Sequence, residues 1–279
     1  MSQRVDHAGG GREPRALVPL IALLVLGCGN GTKYIGSNPG DDDCTLPAPP
    51  PPELALDPFY TKYLDARGVP VLSSTNVSDL ALERACDVAV HLLTGRSDVH
   101  ARLIENGLRV AVIGRNEVIT DLPDYRDLNI ASAETGRDRE IRSLGATLAR
   151  PVSSAAEENL LCLADDPFSS EFLLVHSLAH GLRRLGIVTI DADWDARLLS
   201  AYSDALSRGL WADTYAATDA EQYWAEGVQG FYDANRQSVP ANGVHNHVNT
   251  RAELRDYDAA LATLIADYFP DDSWRPVCP

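Results

Sequence analysis

Positive charge and long apolar runs are both scarce in this chain of 279 residues. Its 24 Lys and Arg residues are outnumbered by 40 Asp and Glu, which gives a formal net charge of −16 at pH 7. That balance argues against binding to nucleic acid and against general attraction to anionic lipid. The N-terminal apolar run, residues 16–26, is shorter than the roughly 20 residues that a membrane-spanning helix needs. The chain also shows no internal repeat.

The short apolar run is typical of an export signal. Arg residues precede it at positions 4, 12 and 15, and it is followed by Gly27 and Cys28. A Cys directly after the small residue at the cleavage point resembles a bacterial lipoprotein signal. We therefore expect residues 1–27 to be removed and Cys28 to carry a lipid, with an ordinary signal peptide as the alternative. Because Gly29 is not the Asp of inner-membrane retention, we expect a lipid-anchored protein of the cell envelope, at the outer membrane or cell surface.

Residues 28–56 lack the apolar side chains of a hydrophobic core. They are rich in Gly, Asn and Asp and contain a run of Pro, which is typical of a flexible tether stiffened by polyproline. This composition predicts that the folded domain fills residues 57–279, a length sufficient for one sizeable core.

C-x-x-C pairs, the usual spacing of cysteine metal sites, are absent from the sequence. With Cys28 assigned to lipid, an even set remains, formed by Cys44, Cys86, Cys162 and Cys278. An even set in an exported protein indicates one or two disulfides, and three pairings are possible. The pairing that we favour joins Cys44 to Cys278 and Cys86 to Cys162.

The apolar periodicity predicts a mixture of strands and helices. Strands are expected at 69–73, 108–113 and 160–163, and helices at 59–66, 79–94, 98–106, 170–186, 193–207, 218–235 and 251–268. Residues 121–147 have no sustained period and predict a long surface excursion, with a cleft beneath it as one option. Strands early and helices late favour an α+β fold, in which a small sheet packs on the helix at 170–186 and the C-terminal half is helical.

The helix predicted at 170–186 carries the residues that best indicate chemistry. Ser170 is a suitable N-cap, and Gly186 is a suitable residue to end the helix. His176 and His180 lie four residues apart, so both imidazoles share one helix face and could bind one metal ion. The spacing resembles the H-E-x-x-H motif of zinc peptidases, but Ser177 stands where that motif has the Glu that acts as general base.

A second segment, residues 214–233, extends the resemblance. It is similar to the third-ligand helix of the lethal-factor branch of zincin-type metallopeptidases and of related secreted bacterial proteins. The resemblance implies that Tyr215 would stabilise an oxyanion, that Gln222 replaces the Glu that binds zinc, and that Glu226 orients a ligating His. Gln222 and Glu226 are i and i+4 on one helix face, whereas Glu221 points about 100° away and is a poor ligand.

The two replacements decide what function the resemblance implies. Ser177 cannot act as a base at neutral pH, and the neutral amide of Gln222 binds zinc more weakly than a carboxylate does. We therefore expect a catalytically impaired pseudo-peptidase that binds a peptide or protein ligand, with zinc binding weakened or lost. An active zinc peptidase with an atypical site is the alternative, and Glu226 would then serve as ligand or base.

Simpler interpretations of the histidines also stay open. His176 and His180 could be hydrogen-bonded core residues without a metal. His245 and His247 lie in a loop from which either could reach the cleft, although loop histidines are usually solvated. His91 and His100 are interpreted as structural.

Overall fold

A mixed five-stranded sheet forms one side of the protein in the computed structural model, which describes residues 44–128 and 139–278. The strands are β1 (Lys62–Ala66), β2 (Val69–Ser73), β3 (Arg109–Ile113), β4 (Ser143–Leu144) and β5 (Val152–Ala156). Their order is β1-β2-β3-β5-β4, with β2, β3 and β5 parallel and the two edge strands antiparallel to their neighbours.

Helices cover the sheet and build the C-terminal half. They are α1 (Asp79–Leu92), α2 (Ser97–Glu105), α3 (Glu157–Leu160), α4 (Leu173–Gly181), α5 (Val188–Ile190), α6 (Trp194–Ser207), α7 (Ala220–Phe231), α8 (Arg251–Tyr257) and α9 (Ala259–Ala266). A π-helical segment, Leu182–Ile187, joins α4 to α5. The α+β class predicted from the sequence is therefore confirmed. No helix in the part of the chain that the structure describes is long and apolar enough to cross a membrane.

Helix α1 and strand β3 form where predicted, because the signals for both lie within or next to their own segments. Helix α1 begins after Ser78, whose hydroxyl accepts a hydrogen bond from the Ala81 amide at 3.3 Å. Its apolar face packs on β1, β2, β3 and α4. Strand β3 is buried over its last four residues, as its Val-rich and Ile-rich sequence predicts.

Three predicted elements were wrong in type or extent. Residues 59–66 are not helical, because Arg67 and Gly68 both have positive φ and turn the chain into a β1–β2 hairpin. Residues 160–163 do not form a strand, because Leu160 is the last residue of α3. The strand in this part of the chain is β5, which ends at Ala156, before α3 begins. The helix expected at 251–268 is split into α8 and α9 by Asp258, whose carboxylate caps α9 through the Leu261 amide at 3.1 Å.

The helix around the histidines also differs from the prediction at both ends. Ser170 has a positive φ and lies outside the helix, which begins at Leu173 without a side-chain cap. Gly186 does not end the helical segment, because the π-helical turns carry the chain through it to Ile190. A Cβ at position 186 would lie 2.6 Å from Val99, so close packing against α2 is the reason for glycine there.

The favoured disulfide pairing was wrong. The bonds join Cys44 to Cys86 and Cys162 to Cys278. An antiparallel bridge between Ala48 and Tyr63 directs the preceding residues toward α1, where Cys86 lies. Cys278, in the C-terminal segment, is therefore bonded to Cys162, which follows the end of α3.

The expected signal at 1–27 and the lipidated Cys28 lie outside the described residues, as does the tether as far as residue 43. The remainder of the expected tether, residues 44–56, is attached to the domain by the Ala48–Tyr63 bridge and the Cys44–Cys86 bond.

Candidate active-site cleft

A cleft of about 720 Å³ opens between the sheet edge at β4, the helix α4 and the segment that leads into α7. Its wall includes residues on both sides of β4, so part of the predicted excursion at 121–147 does line a cleft. The other lining groups include the polar groups of α4 and α7, Arg150, Glu171 and Arg184, and the aromatic and apolar side chains Tyr125, Leu128, Phe168, Leu173, Tyr215 and Val244.

His176, His180 and Gln222 converge at this cleft, as the two sequence segments predicted. The Nε2 atoms of His176 and His180 are 3.2 Å apart, and Gln222 Oε1 lies 3.1 Å from His176 Nε2. The two helices are joined directly, since the Trp224 indole N–H donates to the Ala179 carbonyl at 2.9 Å. Helical spacing places the donors on the facing sides of α4 and α7, and this packing brings the sides together.

Groups behind His176 fix the orientation of its ring. Its Nδ1 lies 2.9 Å from Gln229 Oε1 and 3.3 Å from Glu226 Oε1. Glu226 is itself held by Asn235, whose amide N–H donates to Oε2 at 2.8 Å. A ring held in this way keeps Nε2 facing the cleft.

The two imidazoles have opposite electrostatic environments. Burial opposes protonation of His176, but the hydrogen bond and negative charge of Glu226 outweigh it and raise the pKa of His176. Burial lowers the pKa of His180 to about 2, helped by the positive charges of His176 and Arg184. The surroundings of the two rings therefore shift their pKa values in opposite directions, and His176 is the ring of the pair that protonates more readily.

Tyr215 and Ser177 occupy contrasting positions. Tyr215 lines the cleft, is 39% exposed and stacks 6.2 Å from the His176 ring, while burial raises the pKa of its phenol. Ser177 is 1% exposed, and its hydroxyl donates to the Leu174 carbonyl at 3.3 Å. It is not among the residues that line the cleft. The position that carries a base in H-E-x-x-H thus offers the cleft no acid or base.

Glu221 does not turn toward the His176–His180 pair. Arg183 and Arg184 both hold its carboxylate, Arg183 at 2.9 Å. Consecutive residues of a regular α-helix point about 100° apart, and both arginines lie in the π-helical segment that follows His180. Glu221 Oε2 is consequently 4.0 Å from the far nitrogen of His180, on the side away from Gln222.

Several cleft residues were not found from the sequence. Gln229 continues the i, i+4, i+7 row of Gln222 and Glu226, a helical signal that could have identified it. Glu171 lines the cleft and lies 3.6 Å from His245 Nε2, and no local pattern joins residues 74 positions apart. His247 contacts Tyr257 instead, and His91 stacks on Trp274.

The donor set fits a zinc ion only in part. Ligand atoms at about 2.0–2.1 Å from a tetrahedral zinc lie about 3.3–3.4 Å from one another. Gln222 Oε1 lies 3.1 Å from His176 Nε2, and the Nε2 atoms of His176 and His180 lie 3.2 Å apart. Both distances are close to that value. Within residues 44–128 and 139–278, however, no group of three or more His, Cys, Asp or Glu could hold a metal ion. The third donor is a neutral amide.

The comparisons with known proteins identify one distant structural likeness. No family model matches the sequence, and no curated protein sequence matches it. The structure is similar to that of the Pro-Pro endopeptidase PPEP-2 from Paenibacillus alvei, with a TM-score of 0.45 and 15% sequence identity over 67% of this chain and 91% of that chain. A likeness this distant carries no functional conclusion, which has to come from the cleft itself.

Proposed function

We propose that this protein is a peptide-binding relative of the zinc metallopeptidases that has lost most or all hydrolytic activity. The observation that carries the proposal is the convergence of His176, His180 and Gln222 at one cleft, where no carboxylate of the described residues contacts the Nε2 atom of either histidine. Zinc, when bound to these three residues, would polarise a peptide carbonyl. The neutral amide of Gln222 adds no charge to hold it.

Among the residues that the structure describes, the two positions best placed for a general base do not offer a free one at this site. Ser177 is turned into the fold, and Glu226 is occupied by His176 and Asn235. Loss of a general base costs about 10²–10⁴ in rate. Both departures from the peptidase pattern therefore act in the same direction, toward binding without turnover.

The sheet edge beside the cleft supports an extended ligand. Helix α4 packs against β5 and also contacts the edge strand β4, whose residues line the cleft. Its approach to α4 is close, because a Cβ on Gly145 would lie 2.6 Å from His180 Cβ. An edge strand beside a cleft can receive a peptide by strand addition, with its side chains alternating between the cleft and solvent.

An active peptidase with an unusual site is the second candidate. The distances from His176 Nε2 to Gln222 Oε1 and to His180 Nε2, both close to those around a tetrahedral zinc, and the position of Tyr215 beside His176 favour it. In that case the rate would depend on metal, and Tyr215 would stabilise the developing oxyanion.

We also propose that a lipid on Cys28 holds the protein in the cell envelope, with the peptide ligand presented there and no role in nucleic-acid binding. Replacing Cys28 by Ser and following the protein between membrane and soluble fractions tests this part separately. A Cys28→Ser variant that stays in the membrane fraction would contradict it.

One experiment separates the two candidates. The purified protein is assayed for zinc content, for peptide binding and for cleavage of a mixed peptide library, with and without chelator. We expect weak zinc binding, measurable peptide binding and no chelator-sensitive cleavage. Cleavage at ordinary peptidase rates that chelator abolishes would select the second candidate.

The variant Gln222→Glu extends this test. It restores a carboxylate to the cleft side of the pair and should tighten zinc binding at least about tenfold, equivalent to about 1.4 kcal/mol. A Gln222→Glu protein that remains metal-free would count against a zinc-type site altogether. Adding Ser177→Glu then tests whether activity requires the missing base.

A further inference from the structure

Glu171 differs from every other buried carboxylate that the structure describes. Residues 44–128 and 139–278 contain seven buried acids, Glu117, Glu157, Glu158, Asp166, Glu171, Glu226 and Asp258. Six of them accept at least one hydrogen bond of 2.9 Å or shorter from a protein donor. Glu171, which is 9% exposed, has one close described partner, His245 Nε2 at 3.6 Å, which is beyond hydrogen-bond distance.

His245, the neighbour of Glu171, also has a buried ring nitrogen without a hydrogen-bond partner among the described residues. That nitrogen is Nδ1, and the residue is 5% exposed. In the tautomer with its hydrogen on Nδ1, the ring would bury a donor that has no acceptor. The favoured tautomer of His245 therefore has the hydrogen on Nε2, facing the carboxylate. His245 therefore faces Glu171 from 3.6 Å and leaves the acceptor capacity of its carboxylate unused.

The arginines of the cleft do not balance this carboxylate. Arg142 is paired with Glu158 at 2.5 and 2.8 Å, Arg150 with Asp127 at 2.5 Å, and Arg184 with Glu221. Each lines the cleft and already has an acidic partner. The cleft thus presents an under-bonded buried carboxylate to its ligand, with no described cation assigned to it.

Buried carboxylates are normally hydrogen-bonded, since burying a charge without partners is costly. An exception that opens onto a cleft is explained when the ligand supplies the missing donors. We propose that Glu171 is the specificity-determining residue of the cleft, and that it binds a basic side chain, Lys or Arg, of the extended peptide. This inference rests on the proposed peptide-binding function and names the class of peptide.

The test measures binding of short peptides to the full mature protein. An acetylated and amidated Ala-based heptapeptide carries one Lys, moved through each position in turn, and each peptide is compared with its norleucine counterpart by calorimetry. Lys and norleucine share a four-carbon unbranched side chain and differ in the ammonium group. We expect one position at which the Lys peptide binds about 10- to 100-fold more tightly than its norleucine counterpart. That range corresponds to a charge-assisted hydrogen bond in a site shielded from solvent. A further peptide with a free N-terminus and no Lys distinguishes a terminal amine from a side chain.

Glu171→Gln should abolish the preference for Lys, so that the ratio of Lys to norleucine affinities at that position falls to about one. Glu140→Gln is the matched control, because Glu140 also lines the cleft but is exposed, so its loss removes the same charge from a solvated position. Glu171→Asp retains the charge and should keep part of the preference. Thermal melts of all three variants verify that each is folded.

The outcomes separate the two levels of the proposal. If no peptide binds, the proposed function of the cleft fails. If peptides bind but Lys and norleucine are equal at every position, or the preference survives in Glu171→Gln, the proposed function stands and the role of Glu171 is overturned. Tighter binding of the free N-terminus alone would overturn the assignment to a basic side chain.

Discussion

Two polar regions of this protein are buried to a similar degree and bonded very differently. At the carboxyl ends of β3 and β5, Arg142 donates to Glu158 through two nitrogens and to the carbonyls of Gly114 and Glu117. Around the cleft, the Nδ1 atoms of His180 and His245 are buried without a hydrogen-bond partner among the described residues, and the carboxylate of Glu171 has His245 only at 3.6 Å.

The difference separates stability from function. Polar groups that satisfy one another fix the end of the sheet and leave nothing for a ligand. Groups left short of partners weaken the folded state slightly, and one that lines the cleft, as Glu171 does, is available to a ligand. The predictions below test this contrast by removing one charge or ring from each region.

The largest effect is expected at the sheet end. Glu158→Gln leaves Arg142 as a buried cation without its carboxylate and should lower the free energy of unfolding by about 3–5 kcal/mol, measured by urea denaturation. Arg115→Gln is the control, because its ion pair with Asp165 is about half exposed and such pairs contribute about 0–1 kcal/mol. Equal, small losses in both variants would show that the buried pair contributes no special stability.

Removing the group behind His176 should weaken metal binding. Glu226→Gln eliminates the carboxylate that orients the ring, and we expect zinc affinity to fall about 10- to 100-fold by calorimetry. An NMR titration of the ring should also show the pKa of His176 moving downward, since the charge that raises it is gone. Unchanged zinc affinity would mean that His176 is not a ligand.

The pH dependence of stability should reveal the environment of His180. Its pKa is about 2 in the folded protein and about 6.5 when unfolded, so the unfolded chain binds more protons between these values. Acidification from pH 7 to 5.5 should therefore cost the metal-free protein about 1 kcal/mol through this residue. In the His180→Gln variant, the loss of unfolding free energy between pH 7 and 5.5 should be about 1 kcal/mol smaller. An unchanged loss would mean that another group takes up the proton when the protein unfolds.

The smallest effect is expected at Glu171, and its sign is informative. Glu171→Gln removes a buried charge that has no hydrogen-bonded partner among the described residues, so the free energy of unfolding should stay constant or rise by up to about 1 kcal/mol. Urea denaturation beside Glu158→Gln makes the comparison direct. A loss as large as that of Glu158→Gln would assign Glu171 to the structural region instead of the binding region.

The sequence predicted the chemistry-bearing face of each helix because helical spacing is a local property. His176 and His180, and likewise Gln222 and Glu226, are four residues apart, and this alone puts each pair on one side. Strand β3 and helix α1 were also predictable, since their apolar patterns and caps lie within the segments themselves.

Other features had no local signal. Strand β4, which borders the cleft, has only two residues, so no apolar periodicity could predict it. Ser177 was expected at the centre of the site, and only the packing of α4 on β5, where Ser153 donates to the Ser177 carbonyl at 2.9 Å, shows that it faces inward. The disulfide pairing likewise depends on which distant segments meet.

By itself the sequence determined the α+β class and the helix faces that carry His176 with His180 and Gln222 with Glu226. Tertiary structure alone decided which cysteines pair, that β4 borders the cleft, and that Glu171 lies buried there beside His245. The physical reason is that a residue's position on a helix face follows from its immediate neighbours, whereas the partners of a buried polar group come from segments that are distant in the chain.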